Sequence, residues 1–404
     1  MQILVINSGS SSIKYRLFEK GRYSVLAYGV IERINHPGAS AIHRYRFFNR
    51  HDKEQQKSLN VPDHRVGLAC IINMMVELGV LRNADDLYGI GHRVVHGGEA
   101  FHEPVLIDDE VLEAIRVTIP LAPLHNPANL AGIEAVRQHF PGVPQVAVFD
   151  TAFHQTMPPH AYRYAVPDEF YTRYHIRRYG FHGTSHQYVA GQAARHLGQP
   201  LERLNLITLH LGNGASVTAV QAGKSIDTSM GMTPMEGLMM GSRCGDIDPA
   251  LHFYLSRTTG IALDELERLF NESSGLRGIC GKSDMREVHR LAEAGDDRAD
   301  LAVRMYCYRI KKYIGAYIAA LGRVDAIVFT GGVGENDRRV RHLACEGLEA
   351  MGILMDNQKN RVYTGGIKEI HASQSVVRIL IVPTDEELAI AQCVARTVVS
   401  TRGA

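Results

Sequence analysis

No uninterrupted apolar run in the 404 residues approaches the ~18 needed to cross a bilayer, which speaks against a transmembrane protein. The opening residues lack a positively charged leader, and the apolar stretch Ile3–Ile6 is too short for a secretion signal, so a cytoplasmic chain is expected. Net charge is only +1, too little for a nucleic-acid binder that works through a broad basic surface. Any anionic ligand must then be caught by local arginines and backbone N–H groups. The six cysteines (Cys70, Cys244, Cys280, Cys307, Cys345, Cys393) form no C-x-x-C pair and read as reduced structural thiols. Among 20 histidines the only neat i,i+4 pair is His182 and His186, and Gly183 stands where a zinc protease needs glutamate. Zinc is rejected. Nor does any Gly-x-Gly-x-x-Gly open a helix after a strand. Cys280-Gly281-Lys282-Ser283 imitates the end of a P-loop, but Leu276 occupies the required glycine position and no apolar strand leads in.

What is present is a strand-and-turn plan that occurs twice. Ile3–Ile6 runs into Asn7-Ser8-Gly9-Ser10-Ser11-Ser12 and back out through Ile13-Lys14-Tyr15; Ile207–Leu211 runs into Gly212-Asn213-Gly214 and out through Ala215–Val220. Such small-residue turns present backbone N–H groups that can cradle an anion. Two further glycine turns, Gly97-Gly98 and Gly331-Gly332-Val333-Gly334, also follow apolar runs. A length of 404 with 45% hydrophobic residues suggests two globular domains, and the duplicated phosphate hairpin suggests one of them on each side of a nucleotide. The expected junction lies near Asp150–His154, with the last helix folding back on the first domain: residues 1–152 plus 387–404, and 153–386.

Spacing predicts helices over Val66–Leu78, Pro127–Phe140, 248–257, 262–271 and Asp300–Leu321. Strands are expected over 3–31, 89–95, 143–149, 206–228, 324–329 and 376–383, whereas the polar stretch 32–64, with His36-Pro37-Gly38, reads as an exposed excursion.

Arg93 (His92-Arg93-Val94-Val95-His96-Gly97-Gly98) and Arg243 (Gly241-Ser242-Arg243-Cys244-Gly245) combine a planar fork for carboxylate or phosphate with glycines that permit close approach. Their apolar neighbours favour ligand contact over a surface ion pair. His125 and His182 are open to either a structural or a site role. Asp150 ends an apolar strand, where ligands of open α/β sheets sit, and a hard oxygen there suits magnesium through water. Glu386 opens the last helix and could equally serve the helix dipole.

Taken together and in order, Asn7–Lys14, His92–Gly98, Pro123-Leu124-His125-Asn126-Pro127, Phe149–His154, Gly180-Phe181-His182-Gly183-Thr184-Ser185-His186, His210–Gly214, Met232–Gly237, Asp284-Met285-Arg286 and Gly331–Asn336 resemble the acetate kinases over essentially the whole chain. The wider relatives are propionate and butyrate kinases and, more distantly, sugar kinases, actin and Hsp70 ATPase domains. The resemblance implies an α/β, two-domain actin-like (ribonuclease H-like) ATPase fold with a duplicated core and the nucleotide in the interdomain cleft. It implies Mg2+ (or Mn2+) held by Asn7 and Glu386, with Ser12 and Lys14 near the phosphates of ATP. His210, Leu211, Gly212, Asn213 and Gly214 would form the second phosphate hairpin. Asp284, Met285 and Arg286, with Gly331, Gly332, Val333, Gly334 and Glu335, would contact adenosine. Arg93, His182 and Arg243 would surround the transferred phosphoryl group, with Asp150 in the family's acid/base position and His125 beside it. Val95, Leu124, Phe181 and Pro234 would line the acyl pocket, and a homodimer is implied. Ser8, Ser242-Arg243-Cys244 and a 275–284 stretch one residue short depart from the usual pattern.

The implied reaction is reversible phosphorylation of acetate by ATP, the alternative acceptor being propionate. A different class of reading is a nucleotide switch of the actin or Hsp70 kind. Acetate, with a carboxyl pKa of about 4, is already an anion near pH 7, so Asp150 is expected to position magnesium and Arg93 or a histidine rather than act as a base.

Overall fold

The computed structural model describes residues 1–36, 39–48, 53–123, 125–363 and 365–402. It divides into two compact units, Met1–Gln155 with Asp385–Ala404, and Thr156–Thr384.

The first unit is built on an eight-stranded sheet: β1 (Gln2–Ser8), β2 (Ser12–Glu19), β3 (Val25–Glu32), β4 (Ala41–Phe47), β5 (Gln55–Leu59), β6 (Leu87–Val94), β7 (Val105–Leu106) and β8 (Gln145–Phe149). Its spatial order is β5-β4-β3-β2-β1-β6-β8-β7. The antiparallel meander β1–β5 joins parallel strands β6 and β8. Successive side chains of a strand point to opposite faces, and β1 buries both sets. Leu4 and Ile6 pack with Leu68, Ile72 and Val136 of the helices His64–Glu77 and Asn126–His139, whereas Ile3 and Val5 pack with Ile390 and Val394 of the terminal helix Glu386–Arg402. That helix lies so close to β6 that a Cβ on Gly91 would sit 2.5 Å from Ile390 Cγ2.

The polar stretch 32–64 differs from expectation. It contributes β4 and β5 to the sheet. Buried Ala41 and Phe47 supply the strand signal, but His43, Arg44 and Arg46 break the apolar pattern between them. His43 is accommodated by a 3.1 Å hydrogen bond with the Tyr15 hydroxyl, and burial pushes its imidazole down to about 4. Pro37 and Gly38 lie outside the described residues.

The second unit repeats the plan with β9 (Asn205–Leu211), β10 (Ala215–Gln221), β11 (Lys224–Thr228), β12 (Ala326–Thr330), β13 (Lys368–Glu369) and β14 (Arg378–Ile381), ordered β11-β10-β9-β12-β14-β13. Three antiparallel strands meet two parallel ones, and a two-residue antiparallel strand closes the edge, as β7 does in the first unit. The core is therefore duplicated, as the twice-repeated hairpin suggested. The helix Asp297–Leu321 packs on β9, β10 and neighbouring helices, burying Ala299, Ala302, Val303, Tyr306, Ile310, Ile314 and Tyr317, a helical repeat of positions. Asp296 starts it by accepting hydrogen bonds from Arg298 N and Ala299 N, and Gly322 ends it.

Candidate active site

In the first unit the parallel register of β6 and β8 sets Arg93 opposite Val148 and Val94 opposite Phe149, so both strands end at one edge of the sheet. There Arg93 chelates Asp150, Nε donating to Oδ1 at 2.9 Å and Nη2 to Oδ2 at 2.7 Å. Asp150 itself is buried. Glu386, at the start of the terminal helix, brings Oε2 to 3.8 Å from Arg93 Nε. Burial works against the charge on Arg93, but Asp150 and Glu386 outweigh it and push the guanidinium above its ordinary value. Burial also raises the Glu386 carboxyl; Arg93 and Lys14 oppose this while Asp150 and Glu387 add to it. Glu386 Oε2 is buried and makes no hydrogen bond among the described residues.

The turn after β1 is closed by Gly9 N donating to Ser12 O at 2.8 Å. Asn7 is half-buried and Lys14 exposed, facing each other across the β1–β2 ladder. Two buried asparagines of the helix Asn126–His139 bolt this region together. Asn129 donates to Ser8 O at 2.6 Å and accepts from Val95 N at 3.0 Å, and Asn126 accepts from His96 N at 3.1 Å. His125 precedes that helix, half-buried, and Val95 is buried. Leu124 lies outside the described residues.

In the second unit the turn Gly212-Asn213-Gly214 is closed by Gly212 N donating to Gly214 O at 3.0 Å. His182 precedes the helix Gly183–His196 with φ +57, a left-handed conformation that side chains rarely adopt. Its Nδ1 lies 2.9 Å from Ser216 Oγ, and its ring stacks on His210 at 4.3 Å between centroids. Ser216 Oγ also bonds His186 Nε2 at 2.7 Å, while Ser185 Oγ bonds His210 Nδ1 at 2.8 Å. A Cβ on Gly214 would stand 3.5 Å from both His182 Nε2 and Arg243 Nη1, so these two groups converge over the turn. Arg243 donates Nη1 to Pro234 O at 3.2 Å and pairs with no carboxylate among the described residues. Burial pulls its guanidinium below the ordinary value. Phe181 is buried and Pro234 half-buried nearby in sequence.

A cavity of about 1430 Å³ opens beside this turn. Its walls include the expected Gly212, Asn213, Asp284, Met285, Arg286, Gly332 and Val333. The other expected residues of these segments stand behind the wall. Gly331 and Gly334 are buried, and Glu335 Oε1 accepts from Gly331 N at 3.1 Å and Thr384 N at 3.2 Å, tying the turn down. The cavity also takes in residues no motif marked, among them His289, Tyr306 and Asp337. Arg341, fully buried behind it, donates to Gly334 O, Glu335 O, Asn360 Oδ1 and Asn360 O at 2.7–3.2 Å. No group of three or more His, Cys, Asp or Glu able to hold a metal occurs among the described residues. A divalent cation would need ligand oxygens as well, the usual habit of magnesium beside phosphates. The buried, hydrogen-bond-free Glu386 oxygen beside Asp150 fits such a partner.

Comparison with known proteins agrees over the full length. The model of the acetokinase family matches residues 2–392. An acetate kinase of Syntrophobacter fumaroxidans is 56% identical over 399 residues, 98% of this chain and 97% of that one. The crystal structure of Porphyromonas gingivalis acetate kinase matches with a TM-score of 0.92 at 44% identity, covering 98% of this chain and 99% of that one. A propionate kinase from Francisella tularensis matches with a TM-score of 0.90 at 43% identity, covering 97% and 98%.

Proposed function

The chain belongs to the acetokinase family, and from that premise we propose that it transfers the γ-phosphoryl group of ATP to acetate, reversibly, giving acetyl phosphate and ADP. Its fold, with a duplicated α/β core, is of the actin-like ATPase type. The observation that carries the reading is Arg243: a half-buried arginine with no carboxylate partner among the described residues, converging with His182 Nε2 over a glycine turn. An anion is what such a group lacks.

Acetate brings its own negative charge, its carboxyl having a pKa of about 4, so no base is needed to create the nucleophile. The barrier is the approach of one anion to another. Arg93, Arg243 and His182 would neutralise the equatorial oxygens of a largely dissociative in-line transition state, donating hydrogen bonds that strengthen as charge develops. Asp150, accepting from Nε and Nη2 of Arg93, orients that guanidinium. Asn7 and Glu386 would hold Mg2+, which supplies neutralisation of phosphate charge when bound. Ser12, Lys14 and the 210–214 turn would face the phosphates, and Asp284, Met285, Arg286, Gly332 and Val333 the adenosine. His125 would stand beside Asp150, and Val95, Phe181 and Pro234 would surround the acyl group, where a valine rather than a smaller side chain favours acetate over propionate.

We further propose a cytoplasmic homodimer. Exposed Phe253, Tyr254 and Leu263 on two packed helices support the self-association, and no helix among the described residues is long and apolar enough to cross a membrane. The test of the activity is trapping with hydroxylamine. With ATP and magnesium, acetohydroxamate is expected only when acetate is present. ATP turnover without an acyl phosphate would instead favour the nucleotide-switch reading.

A further inference from the structure

The turn between β1 and β2 has its acceptors taken and its donors free. Ser8 O accepts from Asn129 Nδ2 at 2.6 Å, Ser11 O from Ile34 N at 3.0 Å and Ser12 O from Gly9 N at 2.8 Å. Gly9 O is held by a side chain, His64, whose Nε2 stands 2.6 Å away. Ser10 and Ser11 are exposed, and the backbone N–H of neither donates to a protein group among the described residues. A turn in that condition offers a ligand chiefly backbone donors, which suits an anion.

A carbonyl can only accept, so His64 Nε2 carries the proton of its bond to Gly9, in the neutral ring and in the imidazolium alike. The bond is made from the first residue of the helix His64–Glu77. Asp63 caps that helix by accepting from Val66 N at 2.9 Å, and Gly67 lets it seat on β2, since a Cβ there would stand 2.8 Å from Ile13 Cδ1. The helix start is thereby set beside the turn, and His64 reaches a glycine 55 positions away. In a trans peptide the C=O of one residue and the N–H of the next point in opposite directions, and no peptide bond among the described residues is cis. Holding Gly9 O on the side of this helix therefore aims Ser10 N–H out of the opposite side of the turn. Without the histidine the Gly9–Ser10 peptide is free to turn over, because glycine tolerates both arrangements.

We propose that His64 is a positioning residue for nucleotide binding: its hold on Gly9 O fixes the Gly9–Ser10 peptide so that Ser10 N–H meets the phosphate chain. The inference rests on the reading that this turn faces the phosphates of ATP. His64 acts through the peptide rather than on the nucleotide. It supplies in the free protein an order that the ligand would otherwise impose at the expense of affinity.

The test compares the full-length wild type with His64→Ala, which removes the donor, and His64→Gln, whose Nε2 can restore it. Binding of ATP with magnesium is measured by calorimetry, and kcat and KM for ATP and acetate by hydroxamate trapping. His64→Ala should raise Kd and KM for ATP about five- to twentyfold, while KM for acetate and the melting temperature without ligand barely move. His64→Gln should recover most of that loss. The side chain is only half-buried at a helix start, so its removal leaves the core intact. Should His64→Ala fail to fold, His64→Asn, whose shorter amide stops short of Gly9 O, takes its place against His64→Gln. An ATP affinity unchanged by removing the donor, or a loss shared by ATP and acetate that His64→Gln does not recover, overturns the assignment. Acetohydroxamate formation by the wild type separates the two readings. An ATP-specific loss rescued by glutamine without that product sinks only the acyl kinase, and an unchanged ATP affinity with it sinks only the role of His64.

Discussion

Replacing Asp150 by asparagine separates a positioning carboxylate from a catalytic base. Arg93 now makes two charge-assisted hydrogen bonds to Asp150, at 2.9 and 2.7 Å. An amide oxygen can keep one of them, but the amide N–H2 would face a guanidinium N–H. One charge-assisted bond is lost, worth about 1.5–3 kcal/mol. Glu386, 3.8 Å from Arg93 Nε, offers the freed guanidinium a competing direction. If Arg93 acts on the transition state, that energy appears in kcat as a fall of about ten- to a hundredfold. The assay is kcat and KM for ATP and acetate from pH 5.5 to 9. A positioning role leaves the shape of the pH–rate profile unchanged and lowers it as a whole. Should the acidic limb of the wild-type profile vanish in the variant, with a loss beyond about 10⁴, Asp150 is a base and the reasoning is refuted.

Three further outcomes follow from the same geometry. Arg243→Ala should lower kcat about 10²- to 10³-fold with little change in the KM for ATP; an unchanged kcat with a raised KM would contradict its place at the phosphoryl group. Glu386 has a carboxyl raised in the folded state, so its ionisation opposes folding as pH rises through the ordinary glutamate range and beyond. Glu386→Gln should therefore raise the melting temperature without ligand at pH 7.5, on the order of 2 °C, leave it unchanged at pH 4, and blunt the added stabilisation by magnesium and ATP; equal shifts at both pH values would count against it. Val95→Ala should raise the propionate-to-acetate ratio of kcat/KM by up to about tenfold, because Val95 N stays anchored 3.0 Å from Asn129 Oδ1 while only the side chain shrinks.

The strands and glycine turns were legible because period-two apolar runs and small-residue reversals are local signals. The duplicated core followed from the repeat of one such turn. Arg93 and Asp150 could each be picked out, and a positioning role pointed Asp150 toward Arg93 or a histidine; the choice of Arg93 needs the parallel register of β6 and β8, which joins residues 57 apart. Asn129 was invisible for the same reason, since its amide reaches Ser8 O across 121 positions. Strands β4 and β5 were misread because β4 carries arginines on one face and buries a histidine on the other, while the edge strand β5 is polar and exposed along nearly its whole length. Tyr306, His289 and Arg341 sit on helices whose apolar spacing explains them as packing residues, so no pattern separates them from the core.

Burial alone does not distinguish an arginine that awaits a ligand from one that holds the fold; the count of acceptors does. Arg341 is 1% exposed and burial pulls its guanidinium down to about 10, yet it spends four hydrogen bonds on carbonyl and amide oxygens. A guanidinium has five N–H donors, so Arg341 is nearly saturated and shapes the turn in front of it. Arg93 is matched to a carboxylate with a second one nearby. Arg243 has one carbonyl at 3.2 Å and a long contact to Met240 Sδ at 4.0 Å. Its remaining donors make no hydrogen bond to the protein among the described residues, so they are open to an anion, and the contact strengthens with the charge it meets. That is the property a transition-state ligand requires and a structural arginine lacks.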